Sequence, residues 1–162
     1  MNAQEFITKW RWPKDPDGTP MVGIVVVWDK IPLDSKIITY SGEEAWSKIL
    51  AYAPPWHNEG VVKPFSQWIG SKGFSDEVES ERKAGKLDYY NNHGLEYPFF
   101  CVFATKDGSK GIIGDGNHRF VNCKSLQDNG KDLSTDIARC TLEVICLDNL
   151  SEVIQDAVFP NY

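Results

Sequence analysis

The residues with the clearest chemical potential lie in one short segment, residues 111–129, with the sequence GIIGDGNHRFVNCKSLQDN. A short apolar run ends at Gly114, and five residues of mixed chemistry follow it: Asp115, Gly116, Asn117, His118 and Arg119. Apolar residues then recur at helical spacing, and Gly130 is suited to end that helix. The pattern predicts a strand, a glycine-containing turn and a helix whose first turn carries the charged side chains.

Such a turn can bind an anion. The first turn of a helix leaves backbone N–H groups without intrahelical acceptors, and the helix dipole places positive charge there. Glycines let a ligand approach the backbone, and Arg119 can donate two parallel hydrogen bonds to a phosphate. Asp115 could hold a metal ion or accept a proton. An ordinary tight turn, with Asp115 as the N-cap and Arg119 on a solvated helix face, explains the spacing equally well.

The composition is that of one globular domain. The chain has 162 residues, of which 41% are hydrophobic and 25% charged, enough for a sizeable core. A net charge of −6 and a pI near 5.0 disfavour a broad, sequence-independent grip on DNA, because such binding needs a basic surface. The start of the chain does not resemble a signal peptide, and no apolar run has the roughly 18 residues of a membrane span. We therefore expect a cytoplasmic protein without a membrane partner.

Cysteine and histidine usage supports the same location. The chain has four cysteines, and none forms a C-x-x-C pair. Cys101 and Cys146 lie in apolar runs and are expected to be small buried side chains, as in a protein of a reducing compartment. The three histidines show no metal-ligand spacing with the cysteines, so the sequence does not predict a structural zinc site. Neither His57 nor His93 is expected to be catalytic.

The elements that must position the turn are predicted from periodicity and turn residues. Strands are expected at residues 21–28, 36–40, 97–105, 111–114 and 139–147. Helices are expected at residues 2–10, 41–53, 75–86, 151–158 and from the turn to Gly130. The continuous apolar run in the first strand predicts burial on both faces, and Asp107-Gly108 predicts a hairpin turn. This order predicts an α+β fold, a mixed sheet with flanking helices.

Residues 54–95 are rich in aromatic side chains. Large aromatic residues usually pack, so we expect a satellite core here rather than the lining of a pocket. Residues 91–94 are expected to form a loop. A run of acidic residues within this region is interpreted as a solvated helix face: Asp76, Glu77, Glu79 and Glu81.

The order of strand, hairpin, DGNHR turn, helix and final strand resembles the ParB/sulfiredoxin superfamily, many of whose standalone members carry an aspartate-glycine-any-histidine-arginine turn. The segment IPLD at residues 31–34 is similar to the proline-containing element that precedes the first helix in that superfamily, and Pro98 stands where the hairpin strand begins. The resemblance implies one domain over residues 1–162, with a core of about 21–53 and 96–147. Residues 54–95 would then be an insertion that sets specificity.

The resemblance implies that the turn binds a nucleotide, ATP with Mg²⁺, for phosphoryl transfer or ATP hydrolysis. The phosphates would lie on five residues: Gly114, Gly116, Asn117, His118 and Arg119. The catalytic residues would be Asp115, His118 and Arg119, with Asp115 near the acceptor hydroxyl and as the metal ligand. Related kinases also use a glutamate from the upstream helix, and Glu43, or else Glu44, could serve. The acceptor would be a small molecule. Asn117 stands where sulfiredoxin has a cysteine, so sulfinic-acid repair is not implied.

Two alternatives stay open. Osa-type plasmid proteins, which this chain also resembles, are linked to ATP hydrolysis, DNA cleavage and suppression of conjugal transfer. A metal-dependent DNase would use the same turn, with Asp115 and one further carboxylate on the metal, although the acidic pI disfavours a nucleic-acid partner. The third hypothesis is a non-catalytic plasmid or phage inhibitor that blocks a protein partner through the acidic run.

Overall fold

The computed structural model of the chain describes residues 1–11, 25–55 and 63–155. The strands are β1 (Val25–Val26), β2 (Lys36–Ser41), β3 (Phe99–Thr105), β4 (Gly111–Asp115), β5 (Thr141–Leu147) and β6 (Ile154–Gln155). The helices are α1 (Ala3–Trp10), α2 (Gly42–Lys48), α3 (Phe65–Trp68), α4 (Lys72–Lys83), α5 (Lys86–His93), α6 (Asn117–Asp128), α7 (Ser134–Ala138) and α8 (Leu150–Val153). Within these ranges no helix combines the length and the apolar character needed to cross a membrane.

The main sheet has four strands in the order β2-β5-β3-β4. β2 pairs antiparallel with β5, β5 pairs parallel with β3, and β3 pairs antiparallel with β4. β1 and β6 form a separate two-stranded antiparallel sheet. The fold is therefore α+β with a mixed sheet and flanking helices, and this prediction from the sequence is confirmed.

The two central strands of the main sheet, β3 and β5, contribute side chains to two hydrophobic cores, one on each face of the sheet. Successive side chains of a strand point to opposite faces, and in β3 Val102 packs in the core formed with α2, α3, α4, α6 and α7. The next residue, Phe103, packs on the other face, in a second core that includes residues of α1 and α8. Both faces are covered, which explains why β3 and β5 appear in the sequence as nearly continuous apolar runs.

The predicted helix at residues 2–10 and the strands that became β2, β3, β4 and β5 are confirmed. Asn2 caps α1 in a reciprocal capping box with Glu5. The hairpin between β3 and β4 is also confirmed, because the Asp107 carboxylate accepts hydrogen bonds from the Ser109 N–H and hydroxyl and from the Thr105 hydroxyl. Gly130, with φ +99°, follows the end of α6 as predicted.

The prediction of a long buried strand at residues 21–28 is wrong in its described part. Only Val25–Val26 is a strand, and Val25 is 41% exposed. Trp28–Lys30 forms a 3₁₀ turn in which Trp28 packs edge-on against Phe103, with ring centroids 5.7 Å apart. The segment pairs with β6 and covers the outside of the second core, so its apolar residues serve packing at an edge. Residues 21–24 lie outside the described residues.

Several predicted boundaries also need correction. Residues 91–93 are the last turn of α5, which Gly94 ends, and not a loop. The helix predicted for residues 41–53 ends at Lys48 and continues as a 3₁₀ turn, Ile49–Ala51. The closing helix predicted for residues 151–158 ends at Val153 and becomes β6, and residues 156–158 lie outside the described part. Ser134–Ala138, which had no predicted element, is helical.

The described aromatic residues between 63 and 95 do not form a satellite core. Phe65, Trp68 and Phe74 belong to the same core as β3 and β5. The Phe65 ring lies 4.7 Å from the Phe120 ring of α6, so α3 packs directly on the helix that follows the turn. α3, α4 and α5 all pack on the core that β3 and β5 form with α6, so their aromatic side chains extend that core and do not form a separate one. Trp56 and His57 lie outside the described residues.

Candidate functional site

The predicted strand–turn–helix arrangement around residue 115 is confirmed. β4 ends at Asp115, α6 begins at Asn117, and only Gly116 lies between them. Gly116 has φ +107°, a left-handed conformation that favours glycine. A Cβ at this position would come within 2.6 Å of Phe100 Cε1. The turn therefore lies tightly against β3, and Gly116 offers no side chain to cap the first turn of α6.

Gly114 has a packing role in the second core. A Cβ here would come within 2.5 Å of Phe103 Cε2 and 3.1 Å of Cys101 Sγ. The side chains of Phe103 and Cys101 from β3 thus occupy the space that a side chain at position 114 would need. The sequence grouped Gly114 with the phosphate-binding residues, and that contact stays a prediction.

Asp115 and Arg119 form an inward-facing ion pair. Their side chains are 21% and 18% exposed, and Arg119 Nη2 lies 3.5 Å from Asp115 Oδ1. The same nitrogen donates to the Phe99 carbonyl at 2.8 Å. The Arg119 guanidinium also makes cation–π contacts with two aromatic rings, with its carbon 4.9 Å from the centroid of Tyr97 and 5.4 Å from that of Phe100. Arg119 therefore ties α6 to the start of β3.

The environment of Asp115 changes its proton affinity. Burial raises the pKa of the Asp115 carboxyl, while the Arg119 guanidinium and the Gly116 N–H oppose that rise. A carboxyl group whose pKa is raised binds a proton more readily than an exposed aspartate does. Asp115 is therefore better suited to accept a proton than an ordinary surface carboxylate.

His118 joins α6 to the acidic helix α4. Its Nδ1 makes a short hydrogen bond with Glu81 Oε1, and Glu77 Oε1 lies 3.8 Å from the same nitrogen. Glu81 is only 4% exposed. The interpretation of the acidic run as a solvated helix face is therefore wrong for Glu81. Sequence reasoning missed both glutamates as site residues, although their spacing of four places them on one face of a helix.

Two further side chains border the turn. Tyr90 of α5 is half-buried, burial raises its pKa, and the charges of Arg119 and Glu81 act on it. Asn117, predicted to bind the cofactor, donates from Nδ2 to the Ile113 carbonyl at 3.0 Å and thereby joins the first turn of α6 to β4. Side chains of α4 and α5 thus lie close to the start of α6.

Glu43 lies apart from this group. It is exposed in the first turn of α2, beside β2, and β5 and β3 separate β2 from β4. Three strand spacings of about 4.8 Å make a separation of roughly 14 Å. The structure therefore brings together Asp115, His118 and Arg119, and it places Glu77 and Glu81 beside them rather than Glu43.

The four cysteines take no part in the site. All are free and buried, which confirms the expectation for Cys101 and Cys146. Burial raises the pKa of Cys123 and of Cys140 to about 12. A thiol is nucleophilic only as the thiolate, so these side chains are chemically inert at neutral pH.

The site as a whole combines a helix N-terminus whose N-cap residue is glycine with carboxyl and imidazole groups. The N-terminus of α6 can accept negative charge, Asp115 can take up a proton, and His118 is held in one orientation by Glu81. Comparison of the chain with protein-family models, with curated proteins and with solved structures finds no significant match.

Proposed function

We propose that this chain is a nucleotide-binding protein of the ParB/sulfiredoxin class that transfers or hydrolyses the terminal phosphate of ATP. The observation that carries the proposal is the α6 N-terminus: its N-cap residue, Gly116, has no side chain, and Asp115 and His118 lie on either side of the first N–H groups in the chain. Backbone N–H groups at such a position bind phosphate oxygens readily. The free cysteines support a cytoplasmic location as part of the same proposal.

The contacts of each residue indicate its role. The N–H groups of the first turn and the His118 side chain bind the phosphates, because these lie at the start of α6. Asp115 accepts the proton of the attacking hydroxyl or water, since burial raises its pKa. Arg119 is directed toward the Phe99 carbonyl, so we assign it to positioning Asp115 and the turn.

Mg²⁺ fits this site as an ion that arrives with the nucleotide. Asp115 can supply one oxygen ligand, since its carboxylate has two oxygens and Arg119 Nη2 lies 3.5 Å from Oδ1. Mg²⁺ is usually held by one or two carboxylates together with substrate phosphates and water. When bound, it would neutralise the charge that develops on the phosphates.

Nucleotide titration with calorimetry and amide NMR tests the binding step. ATP with Mg²⁺ is expected to bind and to shift the amide signals of Asn117, His118 and Arg119. The N-terminus of α4 is a matched internal control, because the Ser71 hydroxyl already caps it by accepting from the Phe74 N–H. Absence of binding to ATP, ADP and CTP, or shifts equal at α4 and α6, would contradict the proposal.

The variant Asp115→Asn tests the chemical step. It keeps the size of the side chain but cannot accept a proton as a carboxylate does, so nucleotide binding should persist while turnover falls at least about 100-fold. Asp132→Asn, on an exposed aspartate before α7, is the control and should leave turnover unchanged. Full turnover by Asp115→Asn at saturating ATP would exclude Asp115 as the base.

Metal-dependent DNA cleavage is the second candidate. It is favoured by the glutamates beside His118, which could supply the further carboxylate that a nuclease metal needs. Cleavage of plasmid DNA by the purified chain with Mg²⁺ or Mn²⁺, lost in Asp115→Asn, would support it over ATP hydrolysis.

The inhibitor hypothesis has less support. Within α4, Lys72 pairs with Asp76, and Arg82 pairs with Glu79. These pairs reduce the uncompensated negative charge that the helix would offer to a protein partner.

A further inference from the structure

We propose that Glu77, Glu81 and His118 form a binding site for a divalent transition-metal ion of the zinc type. The three residues, called here the α4–α6 cluster, each offer one donor atom, and these atoms lie within 4.8 Å of one another. Two donors come from neighbouring turns of α4 and the third from the start of α6. This inference goes beyond the proposed function, since it requires neither a nucleotide nor Asp115.

Buried polar atoms without hydrogen bonds are the second observation. Glu81 Oε2 is buried and has no hydrogen-bond partner in the part of the chain that the structure describes. Lys86 Nζ, on a half-exposed side chain, lies 3.9 Å from this oxygen. A buried carboxylate oxygen without a hydrogen bond is costly unless a cation compensates it.

Asn122 of α6 has a second buried oxygen without a hydrogen bond in the described part of the chain. It lies one turn after His118 on α6, and its Nδ2 donates to the His118 carbonyl at 2.7 Å. The residue is only 1% exposed, yet its Oδ1 has no hydrogen-bond partner among the described residues. The amide nitrogen is therefore satisfied within α6, and the amide oxygen is the atom left without a donor among these residues.

The donor set selects the type of ion. Mg²⁺ and Ca²⁺ prefer oxygen ligands alone, whereas imidazole nitrogen favours zinc and related transition metals. Zinc bonds of about 2.0–2.2 Å hold neighbouring donors roughly 3.4 Å apart in a tetrahedral site. Glu77 Oε1, now 3.8 Å from His118 Nδ1, needs only a small side-chain movement to reach that distance. A metal ion on Nδ1 requires that nitrogen without its hydrogen, so the imidazole would bind as the tautomer with hydrogen on Nε2.

Zinc titration of the chelator-treated full chain tests the inference. Calorimetry without nucleotide should show one equivalent of bound Zn²⁺ and much weaker binding of Mg²⁺. Glu77→Gln should weaken Zn²⁺ affinity by at least about 10-fold while keeping the fold, because Glu77 is more exposed than the buried Glu81. Co²⁺ should give a visible absorption spectrum whose titration midpoint Glu77→Gln moves to higher Co²⁺ concentration.

The matched control is Glu79→Gln, on the same helix but outside the cluster and paired with Arg82. His93→Asn is a second control, because His93 is exposed on α5. Both should bind Zn²⁺ like the wild type. Absence of Zn²⁺ binding, equal affinity in Glu77→Gln, or Mg²⁺ binding as tight as Zn²⁺ would overturn the inference and leave the cluster as an ion pair. None of these results depends on ATP binding at the turn.

Discussion

At the scale of single residues, two glycines of similar conformation have different surroundings. Gly116 has φ +107° and Gly130 has φ +99°. A Cβ at Gly116 would overlap the Phe100 ring, whereas a Cβ at Gly130 would meet nothing within 4 Å. Gly116 precedes α6 and Gly130 follows it. Because both have positive φ and only Gly116 has a close neighbour, substitutions at the two positions distinguish backbone strain from steric overlap.

Gly116→Ala is expected to lower the free energy of unfolding by about 2–4 kcal/mol, the sum of left-handed strain and overpacking against Phe100. Gly130→Ala carries only the strain and should lower it by about 1 kcal/mol. Urea unfolding of both variants provides the measurement. Equal effects of the two substitutions would show that Phe100 does not restrict the turn.

At the scale of elements, α1 is attached to the sheet by one buried carboxylate. Glu143 of β5 accepts from Lys9 Nζ at 2.5 Å and from Trp10 Nε1 at 2.6 Å. Glu143 points to the face that α1 covers, and the apolar side of α1 surrounds the pair. The attachment therefore combines a charge pair with burial of Trp10.

Lys9→Met should lower the free energy of unfolding by about 1–3 kcal/mol, because it leaves the Glu143 carboxylate buried without its cation. The value is below that of a fully buried pair since the Lys9 side chain is 38% exposed. Lys72→Met is the matched control, because Lys72 pairs with Asp76 on the surface and should change stability by less than about 0.5 kcal/mol. Denaturant unfolding followed by Trp fluorescence distinguishes the two.

The β3–β4 hairpin should respond to pH through Asp107. Hydrogen bonds from Ser109 and Thr105 lower the pKa of the Asp107 carboxyl to about 2. A lowered folded-state pKa means that its stabilisation is complete above the unfolded value near 4 and is lost as the pH falls through 2. NMR titration of the Asp107 carboxyl carbon should give a midpoint near 2. A midpoint near 4 would show that the carboxylate does not hold the turn.

At the scale of the whole molecule, one sheet separates two cores, and its central strands serve both. β3 and β5 each have a neighbour on either side, and their side chains fill both cores. Among the described residues, β1 and β6 have two residues each and pair with one another. The stability of local regions should therefore differ across the fold.

Hydrogen–deuterium exchange should reflect this difference. Amides of β3 and β5 are expected to exchange slowest, near the rate of global unfolding, and those of β1 and β6 to exchange by local opening. The ratio of the two rates, measured by mass spectrometry or NMR, is the readout. Equal protection of the two sheets would indicate that the small sheet unfolds only with the whole molecule.

The sequence by itself determined the local features. Left-handed turns need glycine, so Gly116 and Gly130 marked the start and end of α6, and Asp107-Gly108 marked the hairpin. The apolar runs at residues 97–105 and 139–147 predicted two strands, and both are confirmed as β3 and β5. These features depend on backbone conformation and on periodicity along the chain, which neighbouring residues control.

Only the tertiary structure decided which faces meet. The spacing of Glu77 and Glu81 placed them on one side of a helix, but the packing of α4 against α6 buried Glu81 against His118. Packing likewise directed Arg119 toward the Phe99 carbonyl and left Glu43 exposed in the first turn of α2, beside the edge strand β2. A repeat along the chain shows which residues share a face, whereas the partner of that face depends on contacts between segments distant in sequence.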